Sequence, residues 1–471
     1  MSLEEEVNRD AFRDKIATVD EEGKRNWVYP KKPKGRFYNW RKYLSYVLLL
    51  FFFGAPFIKI NGEPLLMLNV IERKFVFFGK IFWPQDFYIF VIGMITFIVF
   101  IILFTVIYGR LFCGWGCPET TFKEMAFRRI EYAIEGDFRK QRKLNQSPWN
   151  AEKIRKKTLK HAVFFAVSFL ISNMFLTYII GSDEWFDLIS SPPGQHLGGL
   201  GAMIIFTGVF YAVFSYFREQ VCTVVCPYGR LQGVLLDSKS IIVAYDFVRG
   251  ENRGRFKRRE DRDAKGKGDC IDCHACVDVC PTGIDIRNGT QLECVNCTAC
   301  IDACDEIMDK VGFERGLIRY ASEENIKEKK EFTFTFRMAA YSIVLGILVS
   351  VFVMLLALRS DLDTSILRQS GMTFQKAEDG TITNLYQYKV INKTGVETPV
   401  KFMLEGNRGE IRHVGTKELI VPKGEYIEGK FFIALTSEEL KNKPRSFQVG
   451  IYSGDKKIDE VETTFLSPGK R

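Results

Sequence analysis

Residues 270–304 read CIDCHACVDVCPTGIDIRNGTQLECVNCTACIDAC and contain eight of the twelve cysteines of this 471-residue chain. The cysteines form two blocks with the same spacing, C-x2-C-x2-C-x3-C, and Pro281 follows the first block. This spacing is typical of bacterial two-cluster ferredoxins, in which three thiolates of one block and the fourth cysteine of the other hold each [4Fe-4S] cluster. The sequence therefore predicts two clusters, one held by Cys270, Cys273, Cys276 and Cys304 and the other by Cys294, Cys297, Cys300 and Cys280.

Other uses of closely spaced cysteines fit this stretch less well. Structural zinc sites use pairs of ligands separated by a longer spacer and do not need two matched quartets. A disulfide framework requires an oxidising compartment, which conflicts with the cytoplasmic placement inferred from the loop charges. Cys270–His274 also matches the C-x-x-C-H signature of c-type haem attachment, but this match is nested within the larger pattern. The stretch therefore predicts a redox protein that transfers single electrons.

Five apolar segments are long enough to cross a bilayer, so the sequence predicts a polytopic α-helical membrane protein with about five transmembrane helices. They lie near 43–60, 86–108, 160–181, 197–217 and 335–358. The first is short and carries Gly54 and Pro56, which predicts a kinked or re-entrant outer end. The net charge is +9, and the basic N-terminal residues are more typical of a topology-fixing tail than of a nucleic-acid-binding patch.

Basic residues are distributed unequally between the loops, which predicts the orientation of the chain. The stretch 109–160 is rich in Lys and Arg, whereas 182–196 contains neither. The positive-inside rule places the N-terminus, 109–160 and 218–334 in the cytoplasm, and 61–85, 182–196 and 359–471 outside. We therefore expect a multi-pass protein of the bacterial inner membrane with a cytoplasmic ferredoxin insert.

The predicted domains are a cytoplasmic tail, a membrane domain with four helices, a 2[4Fe-4S] ferredoxin domain, a fifth transmembrane helix and a periplasmic domain. Their bounds are 1–42, 43–234, 235–334, 335–358 and 359–471. The last region alternates apolar and polar residues between Gly, Asn and Pro, as in LYQYKVINKT. This rhythm predicts short strands and an immunoglobulin-like β-sandwich, which is either a binding platform for a partner or an outer cap.

A second cysteine pattern, C-x3-C-P, occurs after the second and fourth apolar segments, within GRLFCGWGCPETTF (109–122) and VCTVVCPYGRLQ (221–232). Because residues i and i+4 of a helix share one face, the repeat is expected to present four thiols near the membrane surface, those of Cys113, Cys117, Cys222 and Cys226. The nearby basic residues expected to favour thiolates are Arg110, Lys123, Arg218 and Arg230. Thiolates are soft ligands, so copper, a further cluster or a transient dithiol is expected here; the alternative is buried, inert cysteines.

Several common cofactor sites are not indicated. His161 and His196 fall at opposite ends of membrane segments and are a poor pair for b-type haem. The chain has no G-x-G-x-x-G fingerprint and no P-loop, so a nicotinamide, flavin or nucleotide site is not predicted. The basic run 249–268 is predicted to be a solvated linker along anionic lipid head groups or a docking patch for an acidic electron donor.

Together these features resemble the cytochrome c oxidase accessory proteins of the CcoG/FixG/RdxA family. The similarity includes the apolar segments, both C-x3-C-P motifs, the tract YDFVRGENRG (245–254), the two-cluster insert and the C-terminal sandwich. The resemblance implies reduction of Cu(II) to Cu(I) for assembly of cbb3-type oxidase, with the eight ferredoxin cysteines as cluster ligands. It implies that the copper-reducing residues are Cys113, Cys117, Cys222 and Cys226.

Three functions remain open on the sequence. The first is a membrane cupric reductase that works with copper-handling proteins and oxidase assembly factors. The second is a quinol-linked electron-transfer subunit of the nitrate- or nitrous-oxide-reductase maturation kind. The third is a structural chaperone for an oxidase subunit, with regulatory clusters. The electron donor is expected to be a cytoplasmic protein or quinol, and no nucleic acid is expected as a partner.

Overall fold

The computed structural model describes residues 17–467 except 21, 61, 71–73, 83–86, 193, 195, 258–259, 331–335, 378–379, 395, 406–408, 416–418, 437–438 and 440–445. The chain divides into two compact units. The first comprises residues 1–53, 93–176 and 188–350, and the second comprises 54–92, 177–187 and 351–471. All twelve cysteines belong to the first unit.

Four helices in the described residues are long and apolar enough to cross a membrane: Tyr88–Tyr108, Ala151–Ile180, Leu197–Phe217 and Phe336–Ala357. They correspond to four of the five predicted segments. The predicted segment 43–60 does not form a fifth helix of this kind. The helix there, Arg36–Gly54, begins with polar and basic residues and ends just before a 3-10 turn that contains Pro56. The missing N–H and fixed φ of that proline end the helix before the apolar run is complete.

The shorter helices of the chain lie mainly between and after these four. Their bounds are Leu111–Trp115, Pro118–Thr121, Arg128–Ile134, Phe138–Gln146, Ser182–Ser190, Pro227–Leu235, Phe247–Gly250, Ala275–Asp278, Ala299–Val311 and Glu323–Lys327. Three segments with wider π-helical turns flank the C-x3-C-P motifs: Phe122–Phe127, Val213–Phe217 and Val221–Val225. Such turns are rare and frequently occur at functional sites.

An aromatic core joins several helices of the first unit. The rings of Phe127 and Phe214 stack with centroids 4.4 Å apart, and Phe164 meets Phe127 edge-on at 4.9 Å. Phe122 and Ile171 belong to the same buried cluster. This packing fixes the segment that follows the first C-x3-C-P motif.

Short strands occur in both units. In the second unit they are β1 (Lys59–Ile60), β2 (Glu63–Pro64), β3 (Leu66–Asn69), β4 (Lys74–Phe77) and β5 (Lys80–Phe82). In the first unit β6 (Ile242–Tyr245) pairs antiparallel with β7 (Ile318–Ala321), so residues on both sides of the cysteine blocks are tied together.

The C-terminal region forms two antiparallel sheets. The strands are β8 (Leu362–Arg368), β9 (Gln375–Lys376), β10 (Ile382–Asn392), β11 (Thr398–Leu404), β12 (Glu410–Val414), β13 (Leu419–Val421), β14 (Tyr426–Leu435), β15 (Ser446–Ser453) and β16 (Lys456–Thr464). One sheet has the order β12-β14-β10-β8, with β9 also on β10, and the other has the order β13-β11-β15-β16. Tyr386 and Phe431 from the first sheet and Phe402 and Val449 from the second share one buried core.

Replacing Phe431 by alanine is expected to destabilise this core. The ring is 0% exposed and packs against Tyr386, Tyr388 and Phe402. Loss of a buried phenylalanine side chain costs about 3–5 kcal/mol of unfolding free energy. The urea concentration at which the C-terminal region of the intact protein becomes sensitive to protease should fall accordingly. Leu367→Ala, at an exposed position of β8, is the control and should leave it unchanged.

Candidate functional site

The first predicted quartet of cysteines surrounds one cavity. The cysteines that line this cavity are Cys270, Cys273, Cys276 and Cys304. Apolar side chains that include Met308 form most of the remaining lining, together with His274 and Arg287. Cys273 is the one exposed member of the quartet. Four thiols around a mostly buried apolar cavity fit the ligand set of a [4Fe-4S] cluster.

The second predicted quartet surrounds a separate cavity, which is lined by Cys280, Cys294, Cys297 and Cys300. Burial raises the pKa of the Cys294 thiol to about 12 and also raises that of Cys300. Because only thiolates ligate iron, binding of a cluster would release these protons. This donor set also fits a [4Fe-4S] cluster.

The two cysteine loops share one backbone conformation although their sequences differ. The residues before and after the second cysteine of each block all have φ between 52° and 63°: Asp272, His274, Asn296 and Thr298. Left-handed backbone is uncommon outside glycine, and Asp, Asn and His are the types that adopt it most readily. A helix begins directly after each loop, at Ala275 and at Ala299, and holds the third cysteine in its first turn.

The helix Ala299–Val311 contributes to both cavities. Cys300 lines the second cavity and Cys304, one turn later, lines the first. Side chains at i and i+4 of a helix have Cβ atoms about 5–6 Å apart. The two cavities are therefore neighbours, and Cys276 touches both of them.

The two cysteines of each C-x3-C-P motif do not share a helical face, so that prediction is wrong. Cys113 lies in the helix Leu111–Trp115, but Cys117 is extended, with φ −66° and ψ 125°. Cys226 is also extended, with φ −69° and ψ 111°, whereas Cys222 lies in a π-helical turn. The cause is the proline that follows each second cysteine, because its ring disfavours the helical conformation for the residue before it.

Each motif contacts the other through its first cysteine. The Cys113 thiol donates to Oε1 of Gln232 at 2.9 Å, and the Lys123 Nζ lies 3.6 Å from the Cys222 Sγ. Lys123 follows Cys113 by as many residues as Gln232 follows Cys222, so the two copies of the repeat contact each other reciprocally. The two contacts differ chemically, because the Cys222 thiol faces an ammonium group and the Cys113 thiol faces a neutral amide.

The first cysteine of each motif also packs against the loop of the second quartet. Cys113 and Cys222 contact a buried cluster whose members are Val279, Val295, Cys297 and Ala299. Gly114 permits this approach, since a Cβ there would lie 2.6 Å from the carbonyl oxygens of Val295 and Asn296. The structure thus brings the two C-x3-C-P motifs beside one of the two quartets.

Protein-family models match three parts of the chain. A 4Fe-4S dicluster domain matches residues 217–323, which contain all eight cysteines of the two quartets. A 4Fe-4S binding domain matches residues 90–144, which contain Cys113 and Cys117. An IG-like fold at the C-terminus of FixG matches residues 352–468.

Whole-chain relatives extend the similarity. Protein RdxA of Cereibacter sphaeroides is 31% identical over 428 residues, which are 88% of this chain and 89% of RdxA. This chain belongs to the FixG/RdxA family. Protein RdxB of the same organism is 32% identical over 433 residues, 86% of this chain and 90% of RdxB. The nitrogen fixation protein FixG of Rhizobium meliloti is 35% identical over 308 residues, which span 64% of this chain and 58% of FixG.

As a member of the FixG/RdxA family, the protein is an iron–sulfur electron-transfer protein with an Ig-like C-terminal domain. Four helices that can cross a membrane, together with the family relationship, indicate a membrane protein. Copper is named in none of the descriptions of these family models and relatives.

Burial dominates the electrostatics of the C-x3-C-P thiols in this FixG/RdxA-family protein. It raises the pKa of Cys113 to about 12 and raises that of Cys222, with Lys123 opposing the effect at Cys222. The predicted effect of the basic residues on the thiol pKa is therefore correct in direction for Lys123 at Cys222 and for Arg110 at Cys113, but burial outweighs it at both thiols. Arg218, in contrast, is held by both carboxylate oxygens of Glu131, at 3.0 and 3.2 Å.

The four C-x3-C-P thiols do not form a preformed site for one metal ion. Throughout the described residues, no group of three or more His, Cys, Asp or Glu side chains is spaced to hold a single ion.

Three residues that shape this site were not singled out in the sequence: Gly114, Gln232 and Arg41. Alignment of the two repeat copies would have placed Gln232 opposite Lys123. Gly114 is one of two glycines between the cysteines of the first motif, and only its tertiary environment distinguishes it. Arg41 reads as one more basic residue at the membrane surface, yet its side chain is buried.

Proposed function

We propose that this protein is a membrane cupric reductase, which delivers single electrons to Cu(II) at the C-x3-C-P thiols and provides Cu(I) for assembly of a cbb3-type cytochrome c oxidase. The observation that carries the proposal is the packing of Cys113 and Cys222 against the loop that contains Cys297. Thiols in this position are adjacent to an iron–sulfur ligand set. Soft thiolates also favour Cu(I), so the same groups retain the product.

In this proposal the eight ferredoxin cysteines hold the resident cofactors. Cys270, Cys273, Cys276 and Cys304 would hold one [4Fe-4S] cluster, and Cys280, Cys294, Cys297 and Cys300 the other. When bound, such clusters supply one electron at a time, at potentials between roughly −700 and +450 mV depending on their surroundings. The exposed Cys273 marks the side of the first cavity from which an electron donor can approach.

Copper is the substrate, and Cys113, Cys117, Cys222 and Cys226 are its proposed ligands. Copper binding requires thiolates, so the protons of the bound thiols pass to solvent. The Lys123 ammonium group, 3.6 Å from the Cys222 Sγ, stabilises the thiolate there. Cu(II) gains one electron and leaves as Cu(I), and no covalent bond other than copper–sulfur ligation is made or broken.

We further propose that the protein lies in the bacterial inner membrane, with the cysteine-bearing regions in the cytoplasm and residues 359–471 in the periplasm. The lysine- and arginine-rich 109–160 and the absence of both residues from 182–196 support this orientation. The topology requires the helix Arg36–Gly54 to cross as well. Its apolar part follows Lys42 and continues directly into the 3-10 turn Ala55–Phe57.

Anaerobic reduction of Cu(II) by the purified, chemically reduced protein tests this function. Cu(I) is followed with a chelator, and the iron–sulfur chromophore is followed by absorbance. In the wild type we expect Cu(I) to form at the same rate as the iron–sulfur absorbance, bleached by chemical reduction, returns. In Cys113→Ser/Cys222→Ser we expect loss of Cu(I) formation with unchanged iron content, because the thiols beside the second quartet are gone.

Reduced protein that does not react with Cu(II) would contradict the proposal. In that case added quinol is the next reagent, since reduction of the iron–sulfur chromophore by quinol would support the quinol-linked alternative. The partners that the proposal implies are copper-handling proteins, oxidase assembly factors and a cytoplasmic or quinol electron donor.

A further inference from the structure

Arg41 connects the first C-x3-C-P motif to the loop of the second quartet. Its Nε donates to the carbonyl oxygen of Gly114 at 3.0 Å, and its Nη1 donates to the carbonyl oxygen of Cys297 at 2.8 Å. The side chain is only 5% exposed. A single guanidinium therefore holds the motif and a quartet cysteine together.

Arg110 makes an equivalent connection for the second motif. One Nη donates to the carbonyl oxygens of Leu292 and Cys294, and the other donates to the carbonyl oxygen of Gly229, in the helix that follows Cys226. Arg110 is 4% exposed. The loop of the second quartet thus accepts hydrogen bonds from two buried cations, one directed towards each motif.

The charge of these two arginines is not balanced by nearby carboxylates. Other buried arginines of the first unit form ion pairs: Arg128 with Glu124, Arg218 with Glu131, and Arg287 with Asp272 and Asp285. For Arg41 and Arg110 no carboxylate oxygen lies within 4.0 Å among the residues that the structure describes. The Glu293 carboxylate interacts electrostatically with Arg110, but from beyond 4.0 Å.

A third arginine shows the same behaviour at the first quartet. Arg262 belongs to the basic run predicted to be a solvated linker, but it is buried and donates to the carbonyl oxygen of Cys270 at 3.1 Å. No carboxylate is paired with it in the described part of the chain. Within the described ranges, the buried arginines that lack a carboxylate partner are therefore those that donate to the carbonyl of a quartet cysteine.

Burying an uncompensated cation is strongly unfavourable unless an anion lies close by. A cluster ligated by four thiolates is such an anion, and local charge and hydrogen bonding set its reduction potential. Two arginines adjoin the second quartet and one adjoins the first. Near the first quartet, Arg287 is neutralised by Asp272 and Asp285.

We infer that Arg41 and Arg110 compensate the charge of the cluster held by the second quartet and make it the more readily reduced of the two clusters. The more easily reduced site is then the one beside Cys113 and Cys222. This inference rests on the proposed assignment of the quartets to clusters but not on copper as the substrate.

Redox titration of the purified full-length protein, monitored by electron paramagnetic resonance, tests the inference. We expect Arg41→Gln and Arg110→Gln each to lower the higher of the two midpoint potentials, whereas Arg262→Gln lowers the other. Arg41→Lys keeps the charge and should shift the potential less than Arg41→Gln. Iron content per chain establishes that each variant carries both clusters.

Unchanged potentials in Arg41→Gln and Arg110→Gln at full iron content would overturn the inference, as would a shift of the lower potential alone. If Arg41→Gln loses iron, Arg110→Gln is judged by the same criterion, because it contacts different carbonyl groups of the same loop. The titration contains no copper, so its result is independent of whether the protein reduces Cu(II).

Discussion

Replacing Cys273 and Cys304 together by alanine is expected to remove one iron–sulfur cluster and leave the other intact. These residues come from different sequence blocks but line the same cavity. Each cluster is held by three cysteines of one block and one of the other, so the variant should lose about half of its iron. Iron content per chain and the electron paramagnetic resonance spectrum of the reduced protein measure the result.

The matched variant is Cys300→Ala/Cys304→Ala. It removes two cysteines that belong to the same block and lie in the same helix. Cys300 and Cys304 line different cavities, so this double variant removes one ligand from each cluster. We expect neither cluster to keep its normal electron paramagnetic resonance signal. The opposite pattern, with one cluster surviving the Cys300/Cys304 pair and both damaged by the Cys273/Cys304 pair, would show that each block holds its own cluster. The two double variants therefore separate the two connectivities directly.

The quartets could be predicted because their signal is local. C-x2-C-x2-C-x3-C spacing is typical of two-cluster ferredoxins, in which the fourth cysteine of each block joins the cluster of the other. The C-x3-C-P motifs are also local, yet the helical face expected of them was wrong. In Cys117 and Cys226 the effect of the following proline on the backbone outweighs the i, i+4 spacing.

The position of the C-x3-C-P motifs beside the second quartet could not be predicted. It depends on contacts between residues far apart in the chain, such as Arg41 with Cys297 and Arg110 with Gly229. The first predicted span, 43–60, agrees with the structure only in part. An apolar run was counted across Gly54 and Pro56, whereas the helix ends at Gly54.

Replacing Gly114 by alanine is expected to lower the rate of Cu(II) reduction by about 10²-fold, the loss that a displacement of about 1 Å can cause in a positioned site. The added Cβ would lie 2.6 Å from the carbonyl oxygens of Val295 and Asn296, and backbone cannot move aside as a side chain can. The helix that carries Cys113 must therefore shift away from the second quartet. The anaerobic chelator assay measures the rate, and iron content shows that the clusters remain.

Gly116→Ala is the matched control in the same motif. A Cβ at Gly116 would be crowded only by the ring of Phe112, at 3.1 Å, and this exposed side chain can rotate away. The nearest backbone atom, the carbonyl oxygen of Phe112, would lie at 3.7 Å, an ordinary contact distance. The control should keep a rate near that of the wild type. If Gly114→Ala also kept that rate, close contact between Cys113 and the second quartet would not be required, and copper would have to be reduced elsewhere. A large loss in Gly114→Ala alone would instead show that copper reduction depends on the contact between the first motif and this loop, which Gly114 permits and Arg41 bridges.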